Sequence, residues 1–209
     1  MKLILNGFSG KMGSVVYDYL KQNNIFVGLG DLENKITEDM VERCDAIIDF
    51  SSVESAKSLF ELAIKHHKNM IIGTTGFLDN EIKHFKEKSK QANISLFLIY
   101  NFLPSMHCLK KIIDDLDFDE LYLTESHHKS KKDKPSGTAK FLLSNLDDEK
   151  VKITSIRTDF YCYEHKIELI NEFETIEIAH RCYNKIGYAK GVEYALNQLG
   201  TFVGLKQNF

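Results

Sequence analysis

The first hundred residues of this 209-residue chain alternate between short apolar runs and amphipathic stretches. The apolar runs are rich in β-branched or aromatic side chains and occupy residues 3–5, 25–27, 46–48, 70–72 and 94–99. Between them, apolar residues recur at helical spacing, as in residues 53–67 and 79–91. Continuously apolar strands that alternate with amphipathic helices are typical of parallel strands buried on both faces. The pattern therefore predicts an α/β fold with a doubly wound parallel sheet.

The periodicity changes near Pro104. From residue 151 the apolar residues recur at a spacing close to two, around 151–153, 167–169 and 176–178. Three strands with short connections predict an antiparallel or mixed sheet in a smaller, C-terminal α+β domain. The last twenty residues have the spacing of a closing helix. We therefore predict a first domain over 1–103, a second over 104–183, and a closing helix over about 184–205.

The composition argues against several classes of function. A net charge of -3 and a pI of about 6.2 give no general electrostatic basis for nucleic-acid binding. No apolar run approaches the ~20 residues that cross a bilayer, and the start of the chain does not resemble a secretory signal. The cysteines at 44, 108, 162 and 182 form no CxxC pair, so we expect small buried hydrophobes rather than a disulfide framework or a metal site. These features predict a cytoplasmic protein with no bound metal and no nucleic-acid or membrane partner.

Residues 7–13, Gly-Phe-Ser-Gly-Lys-Met-Gly, join the first predicted strand to the first predicted helix. Their glycines permit a sharp turn and a close backbone approach to a pyrophosphate, which would lie against the N–H groups at the helix start. After a buried strand, such a loop favours a Rossmann-type dinucleotide-binding domain; a merely tight turn is the alternative. Asp31 follows the second strand, where a carboxylate can accept a hydrogen bond from an adenosine ribose hydroxyl; an ordinary loop aspartate is the alternative. Lys11 and Lys35 could instead attract a 2′-phosphate, so NADH and NADPH both remain open.

Two further predicted strands are followed directly by short segments, called tips below, that contain hydroxyl, carboxylate or glycine residues. Asp49, Phe50 and Ser51 follow the third strand, and residues 73–76, Gly-Thr-Thr-Gly, follow the fourth. Because ligands bind at the carboxyl ends of strands in open parallel sheets, we expect both tips to border one crevice. For Asp49 and Ser51, the alternative is a helix N-cap with Glu54 completing a capping box.

The densest cluster of reactive side chains spans residues 125–139, Glu-Ser-His-His-Lys-Ser-Lys-Lys-Asp-Lys-Pro-Ser-Gly-Thr-Ala. The adjacent His127 and His128 can exchange protons near neutral pH, and the lysines around them suit an anionic substrate. Residues 136–138 start a helix and offer N–H groups and hydroxyls to an anion. The alternative is a solvated basic loop followed by an ordinary helix cap.

Five motifs in this order resemble the 4-hydroxy-tetrahydrodipicolinate reductase family of lysine biosynthesis. They are residues 7–13, 49–51, 73–77, 125–139 and 176–181, so the resemblance extends along nearly the whole chain. It implies reduction of 4-hydroxy-tetrahydrodipicolinate, a small cyclic dicarboxylate, to tetrahydrodipicolinate by NADH or NADPH in the diaminopimelate and lysine pathway. It also implies a second domain that binds substrate and assembles a homotetramer through its sheet, and a closing helix that returns to the first domain.

The resemblance implies a role for each matching residue. His127 would be the catalytic acid/base, and Lys131 would be the proton donor. Substrate would be bound by His128, Ser136, Gly137 and Thr138. The cofactor would be lined by Gly7, Phe8, Ser9, Gly10, Lys11, Met12, Asp31, Asp49, Phe50, Ser51, Gly73, Thr74, Thr75, Ile99, Tyr100, Asn101 and Phe102.

The chain departs from the family pattern in a few places. Lys11 replaces the arginine that is usual in the nucleotide loop, Ser130 stands where a third histidine is common, and no Gly-Asp…Gly-Glu-His stretch is recognisable before the last strand. The second domain is also short. Because its sheet is the predicted oligomerisation surface, this departure affects the predicted tetramer more than the predicted reaction. Two other functions remain open. One is another Rossmann reductase acting on an amino-acid intermediate, such as an aspartate-type dehydrogenase, and the other is a non-catalytic dinucleotide-sensing module.

Overall fold

The computed structural model describes residues 1–160 and 163–209, which fold as two compact units. The first unit combines Met1–Leu103 with Lys185–Phe209, and the second is Pro104–Asn184. The helices and strands, in chain order, are β1 (Lys2–Asn6), α1 (Gly13–Leu20), β2 (Ile25–Gly30), α2 (Glu38–Arg43), β3 (Ala46–Asp49), α3 (Val53–Lys65), β4 (Asn69–Ile72), α4 (Asp79–Gln91), β5 (Ser95–Leu98), α5 (Pro104–Asp115), β6 (Glu120–His128), α6 (Gly137–Leu143), β7 (Val151–Thr158), β8 (Tyr163–Ile170), β9 (Thr175–Arg181), α7 (Ile186–Gln198) and β10 (Gly204–Lys206). A short 3₁₀ turn at Asp148–Lys150 precedes β7.

The first unit is built on a six-stranded sheet in the order β10-β5-β4-β3-β1-β2. Every pairing in it is parallel. The central strand β3 is buried along its whole length, with Ala46 beside Leu3 on one side and Asn69 on the other. Because β1 has β2 on one side and β3 on the other, the chain winds outward from β1 in both directions. This architecture confirms the predicted doubly wound, Rossmann-type sheet.

Helices cover both faces of this sheet. Leu3 and Leu5 pack with α1 and α7 on one face, whereas Ile4 packs with α3 and α4 on the other. This division follows from the pleat, which turns successive side chains to opposite faces. Since burial of each such side chain contributes roughly 1.5–3 kcal/mol, the two apolar layers hold the unit together.

The C-terminal segment differs from the predicted closing helix. α7 ends at Gln198, and residues 204–206 form the edge strand β10, parallel to β5. Gly200 and Gly204 have φ angles of 83° and 93°, the left-handed conformation that ends helices and turns chains. The prediction of a helix to about residue 205 was therefore wrong beyond Gln198.

The second unit is built on a four-stranded sheet in the order β7-β6-β8-β9. β7 runs parallel to β6, whereas β8 runs antiparallel to both β6 and β9, which confirms the mixed alternative of the predicted α+β domain. Every second residue of β6 is buried, because one face of the strand is turned to the interior. Leu121 and Leu123 occupy this face first, and Glu125 and His127 follow toward the carboxyl end. Two ionisable groups are thus held at interior positions.

The described cysteines are free thiols, but they do not all show the expected burial. Cys44 is buried and Cys182 is half-buried, whereas Cys108 is exposed on α5. The expectation of a buried hydrophobe was therefore wrong for Cys108, and Cys162 lies outside the described residues. Within the described ranges, no helix has both the length and the apolar character that crossing a membrane requires.

Candidate active site

The loop between β1 and α1 is packed too closely to accept side chains at two of its glycines. Gly7 has a φ angle of 85°, and a Cβ atom there would lie 2.3 Å from the carbonyl oxygen of Phe50. A Cβ atom on Gly13 would lie 2.0 Å from the carbonyl oxygen of Gly7. No side chain caps the start of α1 at Met12. The loop therefore forms a bare-backbone cradle, which fits a dinucleotide pyrophosphate.

Asp31 lies just beyond β2 and is tied to this loop. Its carboxylate accepts hydrogen bonds from the backbone N–H groups of Asn34 and Glu33 and from the side chain of Ser9. The hydrogen bond from Asn34 is the main cause that lowers the pKa of Asp31, so this group is an anion at neutral pH. A carboxylate here suits a ribose hydroxyl, while the exposed lysines at 11 and 35 keep a 2′-phosphate open as well.

Asp49 joins the tips of three neighbouring strands. Its side chain is fully buried and accepts hydrogen bonds from Asn6 Nδ2 at 2.7 Å, Ser51 Oγ at 2.7 Å and Thr74 Oγ1 at 2.5 Å. Burial raises the pKa of this carboxyl group, and these hydrogen bonds oppose the rise. The sequence predicts Asp49 as a cofactor contact, whereas the structure directs its oxygens to its own neighbours. Asp49 therefore positions the loops rather than presenting a free carboxylate.

The tips after β3, β4 and β5 meet at one edge of the sheet. The rings of Phe50 and Phe102 lie 5.3 Å apart, and a Cβ atom on Gly73 would come within 2.2 Å of the first ring and 2.8 Å of the second. Every predicted cofactor residue ends or follows one of the strands β1 to β5 at this edge. Ile99, Asn101 and Phe102 are buried there, so packing accounts for most of their surface.

Strand β6 holds the acid–base residues of the second unit. Glu125 is fully buried and accepts hydrogen bonds from Arg157 Nη2 and from the backbone N–H of Ser136, each at 3.0 Å. His127 is 3% exposed, and its Nδ1 lies 3.5 Å from Glu125 Oε2, an ion-pair distance without hydrogen-bond geometry. Ser136 also caps α6, because its Oγ accepts from the N–H of Ala139 at 3.1 Å. One carboxylate thus links the strand to the start of the helix.

The environment gives Glu125 and His127 opposite ionisation tendencies. Burial by itself raises the pKa of Glu125, but hydrogen bonds from Ser136, Ser155 and Arg157 outweigh it and hold the pKa at about 2. Burial lowers the pKa of His127, and the nearby Glu125 carboxylate opposes that change. Near pH 7 the cluster therefore holds an ionised carboxylate beside a mainly neutral imidazole.

His128 is the last residue of β6, and Lys131 lies in the loop that follows this strand. The Lys131 side chain is 31% exposed and forms an ion pair with Asp133 at 2.9 Å. His128 is the next residue after His127, so its side chain turns to the other face of the strand, and its Nδ1 lies 2.9 Å from Ser130 Oγ. The side chains of the two adjacent histidines therefore lie on opposite faces of the strand. Ser130 orients the ring of His128.

Gly137 and Thr138 form the first turn of α6, directly after the capping Ser136. A Cβ atom on Gly137 would meet no atom within 4 Å outside its chain neighbours and its own helix backbone, and the N–H of Gly137 donates to the Asp133 carboxylate. The structure thus brings the predicted acid–base and substrate residues together within one unit, on β6, the following loop and the start of α6.

Sequence reasoning did not identify two members of this cluster, His165 and Arg157. His165 pairs with Glu125 across β8 and is 4% exposed. Its ring lies 5.3 Å from that of His127, and its Nε2 is 3.4 Å from Ser136 Oγ. The period-two pattern of β8, continued by one step, would have placed His165 on the interior face. Arg157 had no such signal, because the register of β7 against β6 is not readable from the sequence.

Glu125, His127 and His165 offer ligand atoms within 4.8 Å of one another, a spacing that could hold a metal ion. Both oxygens of Glu125 already accept hydrogen bonds, however, and one donor is the Arg157 guanidinium. The positive charge of Lys131 also acts on this cluster. The arrangement therefore favours charge pairing over cation binding.

The buried His165 makes the second unit sensitive to mild acid. Burial, reinforced by His127, lowers the pKa of His165 from 6.5 to about 4. The unfolded chain binds a proton at His165 below pH 6.5, whereas the folded protein does so only below about pH 4. Stability from this group is therefore complete above pH 6.5 and falls by up to about 3 kcal/mol as the pH drops through this window. We expect the free energy of unfolding of His165→Gln, measured in urea, to depend less on pH there.

A matched control is His84→Gln, since His84 is exposed in the first unit beside Glu61. This variant should retain the wild-type dependence on pH. Equal pH dependence in His165→Gln and wild type would contradict the prediction. Glu125 adds a second window: its pKa of about 2 lies below the ordinary 4.5, so its stabilisation is present above pH 4.5 and is lost as the pH falls toward 2.

A parallel-sheet unit with a bare glycine loop, joined to a mixed-sheet unit with buried acid–base residues, defines a two-domain nicotinamide-dependent reductase. Family models of dihydrodipicolinate reductase match the chain, the N-terminal model over residues 1–102 and the C-terminal model over residues 101–207. The chain belongs to the dihydrodipicolinate reductase family, a family of NAD(P)H-dependent oxidoreductases. The motif-based prediction of this family is confirmed.

Individual relatives agree with this assignment. The 4-hydroxy-tetrahydrodipicolinate reductase of Thermosipho africanus is 32% identical, over 99% of this chain and 96% of that protein. The enzyme of that name from Wigglesworthia glossinidia brevipalpis is 36% identical, over 84% of this chain and 69% of that protein. Because the Thermosipho protein is covered almost completely, the short second unit is not peculiar to this chain.

Solved structures agree on the fold. The dipicolinate-bound dihydrodipicolinate reductase from Paenisporosarcina sp. TG-14 matches with a TM-score of 0.84 at 19% identity, over 100% of this chain and 97% of that one. Aspartate dehydrogenase from Thermotoga maritima matches with a TM-score of 0.59 at 14% identity, over 95% and 96%. The predicted fold class is confirmed, and the second match shows that the fold is shared with an aspartate dehydrogenase.

Proposed function

We propose that this chain is a 4-hydroxy-tetrahydrodipicolinate reductase that uses NADH or NADPH in the diaminopimelate and lysine pathway. The observation that carries the proposal is the cluster on β6, in which His127 and Glu125 are buried beside Ser136 and the loop of Lys131. A dinucleotide-sensing module would need only the glycine loop of the first unit. Buried ionisable groups are costly to fold, so their concentration here favours an enzyme.

The first unit would hold the cofactor. The loop over 7–13 would receive the pyrophosphate, Asp31 the adenosine ribose, and the tips at 50–51, 73–75 and 99–102 the nicotinamide end. Asp49 acts behind these tips, through its hydrogen bonds to Ser51 and Thr74. When bound, the reduced nicotinamide supplies a hydride.

The second unit would bind the substrate, a small cyclic dicarboxylate. Gly137 and Thr138 would bind a substrate carboxylate at the first turn of α6, where the Cβ position of Gly137 is open, and Ser136 fixes that turn by capping it. His128, oriented by Ser130, would bind the substrate from the strand side. The lysines at 131, 132 and 134, in the loop between β6 and α6, add the positive charge that two carboxylates require.

His127 and Lys131 would manage the proton. Reduction of a double bond conjugated with an imine leaves an electron-rich nitrogen–carbon system that must gain a proton. The Lys131 ammonium group donates it, and the neutral imidazole of His127 exchanges protons through the ring nitrogen turned away from Glu125. Glu125 stays ionised and stabilises the imidazolium form when it appears.

A coupled assay with freshly generated substrate tests this function. We expect loss of reduced-nicotinamide absorbance that depends on the substrate, with NADH and NADPH supplied in turn. The ratio of the turnover rate with NADH to that with NADPH reports whether the Asp31 carboxylate or the lysines at 11 and 35 determine the coenzyme preference. Coenzyme binding without turnover would favour a sensing module. Turnover of another amino-acid intermediate instead would favour a different reductase.

We further propose that the chain forms a homo-oligomer, a tetramer by the family resemblance, through the sheet of its second unit. The outward face of this sheet is accessible in the single chain and includes Ile156, which is 42% exposed. Light scattering of the purified chain measures the oligomeric state, and a monomer would contradict the proposed oligomer.

We also propose a cytoplasmic location. The free thiols of the described cysteines support a reducing compartment.

A further inference from the structure

Arg157 is the one guanidinium that enters the acid–base cluster of the described second unit. Its side chain is 9% exposed and pairs with the fully buried Glu125, Nη2 to Oε1 at 3.0 Å. It reaches this position because β7 runs parallel to β6 in a register that sets Arg157 beside His127. Buried ion pairs contribute little net stability on average, so a role beyond stability has to be sought in what else the guanidinium contacts.

Two further hydrogen bonds of Arg157 go to the backbone of the loop that follows β6, and a third, from Nη1, goes to the carbonyl oxygen of Ile156 on β7 at 2.8 Å. Its Nε donates to the carbonyl oxygen of Lys131 at 3.0 Å, and its Nη2 also donates to the carbonyl oxygen of Asp133. A planar guanidinium with five fixed N–H groups can serve a carboxylate and two carbonyls at once. The middle of the loop is therefore fastened to β7.

The far end of the same loop is fastened by Glu125. Its Oε2 accepts from the backbone N–H of Ser136, 3.0 Å away, at the point where α6 begins. The ion pair of the Lys131 side chain, in contrast, is with Asp133 of its own loop, so it does not tie the loop to the sheet. Backbone hydrogen bonds also reach this loop, from the N–H of Lys131 to the carbonyl oxygen of His128 and from the N–H of Lys129 to that of Thr158, both at 2.9 Å. Glu125 and Arg157 add side-chain hydrogen bonds to this connection, at Ser136 and at the carbonyl oxygens of Lys131 and Asp133.

We infer that Arg157, acting with Glu125, is a positioning residue for the reaction: it holds the backbone of Lys131 in register with His127. This inference rests on the proposed function, in which Lys131 donates the proton. Misplacement of a reacting group by about 1 Å can cost about 100-fold in rate. A loosened loop should therefore slow the chemical step while leaving the cofactor residues of the first unit untouched.

Arg157→Lys is the informative variant. It keeps a positive charge for Glu125, but a single ammonium group cannot donate in one plane to a carboxylate and two loop carbonyls. Removing the charge altogether, as in Arg157→Met, would leave Glu125 buried without its partner and is expected to unfold the unit. We expect Arg157→Lys to fold and to lose about 10- to 100-fold in kcat, with KM for NADH and NADPH within about twofold of wild type.

Two further readouts separate positioning from general damage. Inhibition by pyridine-2,6-dicarboxylate should be nearly unchanged in Arg157→Lys, because the contact of Glu125 with Ser136 persists. Hydrogen exchange of the backbone amides at 129–136 should become faster, and this readout needs no turnover. The matched control is Lys152→Met, which removes an exposed ion pair with Glu120 between the same two strands. It should keep wild-type kinetics and exchange.

Each result decides one point. Arg157→Lys with wild-type kcat and unchanged exchange at 129–136 would overturn the inference. A variant in which kcat falls together with the affinity for the dicarboxylate inhibitor and with thermal stability would also overturn the inference. Such a result would show that Arg157 only stabilises the fold. If wild type turns over no substrate, the proposed function fails, and the exchange measurement still tests whether Arg157 holds the loop.

Discussion

Replacing His127 or Lys131 by alanine is expected to lower kcat by about 10²- to 10⁴-fold, the usual contribution of a positioned acid or base. Both residues belong to the second unit, whereas the predicted cofactor residues belong to the first. The affinity for NADH, measured by fluorescence titration, should therefore remain that of wild type. Steady-state kinetics on freshly generated substrate give the turnover.

Two controls accompany these variants. Lys129→Ala removes an exposed lysine of the same loop, paired with Asp159, and should keep wild-type turnover. His127→Gln retains more of the buried volume of His127 than alanine does, so it reports lost chemistry if the alanine variant is destabilised. Near-normal turnover in both the His127 and the Lys131 variants would contradict the assignment.

Gly13→Ala is expected to weaken NADH binding by about 10- to 100-fold, from about 1–3 kcal/mol of overpacking. A Cβ atom at Gly13 would lie 2.0 Å from the carbonyl oxygen of Gly7, so the loop or α1 must move. The displaced backbone is the part that would hold the pyrophosphate. Fluorescence titration with NADH measures the loss directly, without any need for substrate.

The neighbouring Ser14→Ala is the control for this change. Ser14 is exposed on α1, and alanine there adds no atom against the loop. It should bind NADH as wild type does. Wild-type affinity in Gly13→Ala would mean that the loop over 7–13 does not contact the cofactor.

The sequence was sufficient for elements whose signal is local. The apolar runs of β1, β3 and β4 are buried on both faces, as such runs indicate. The strand β6 was not among the three strands predicted for the second domain. The edge strand β10 was missed because Gly204–Lys206 is too short to show a period. It becomes a strand only by pairing with β5.

The sequence predicts site residues where they belong to a motif, and it gives no signal for residues that only strand pairing brings into the cluster. The strand-end rule located Asp49 correctly but could not tell that its side chain turns inward. His165 enters the cluster through its antiparallel pairing with Glu125, and Arg157 through the parallel register of β7.

The first unit is assembled from both ends of the chain, since α7 packs on α1 and β10 closes the sheet beside β5. During synthesis the second unit, which is continuous, has all its strands as soon as residue 184 has left the ribosome, whereas the nucleotide unit must wait for residues 185–209. A chain that stalls before then leaves β5 as an open edge, which is a template for aggregation.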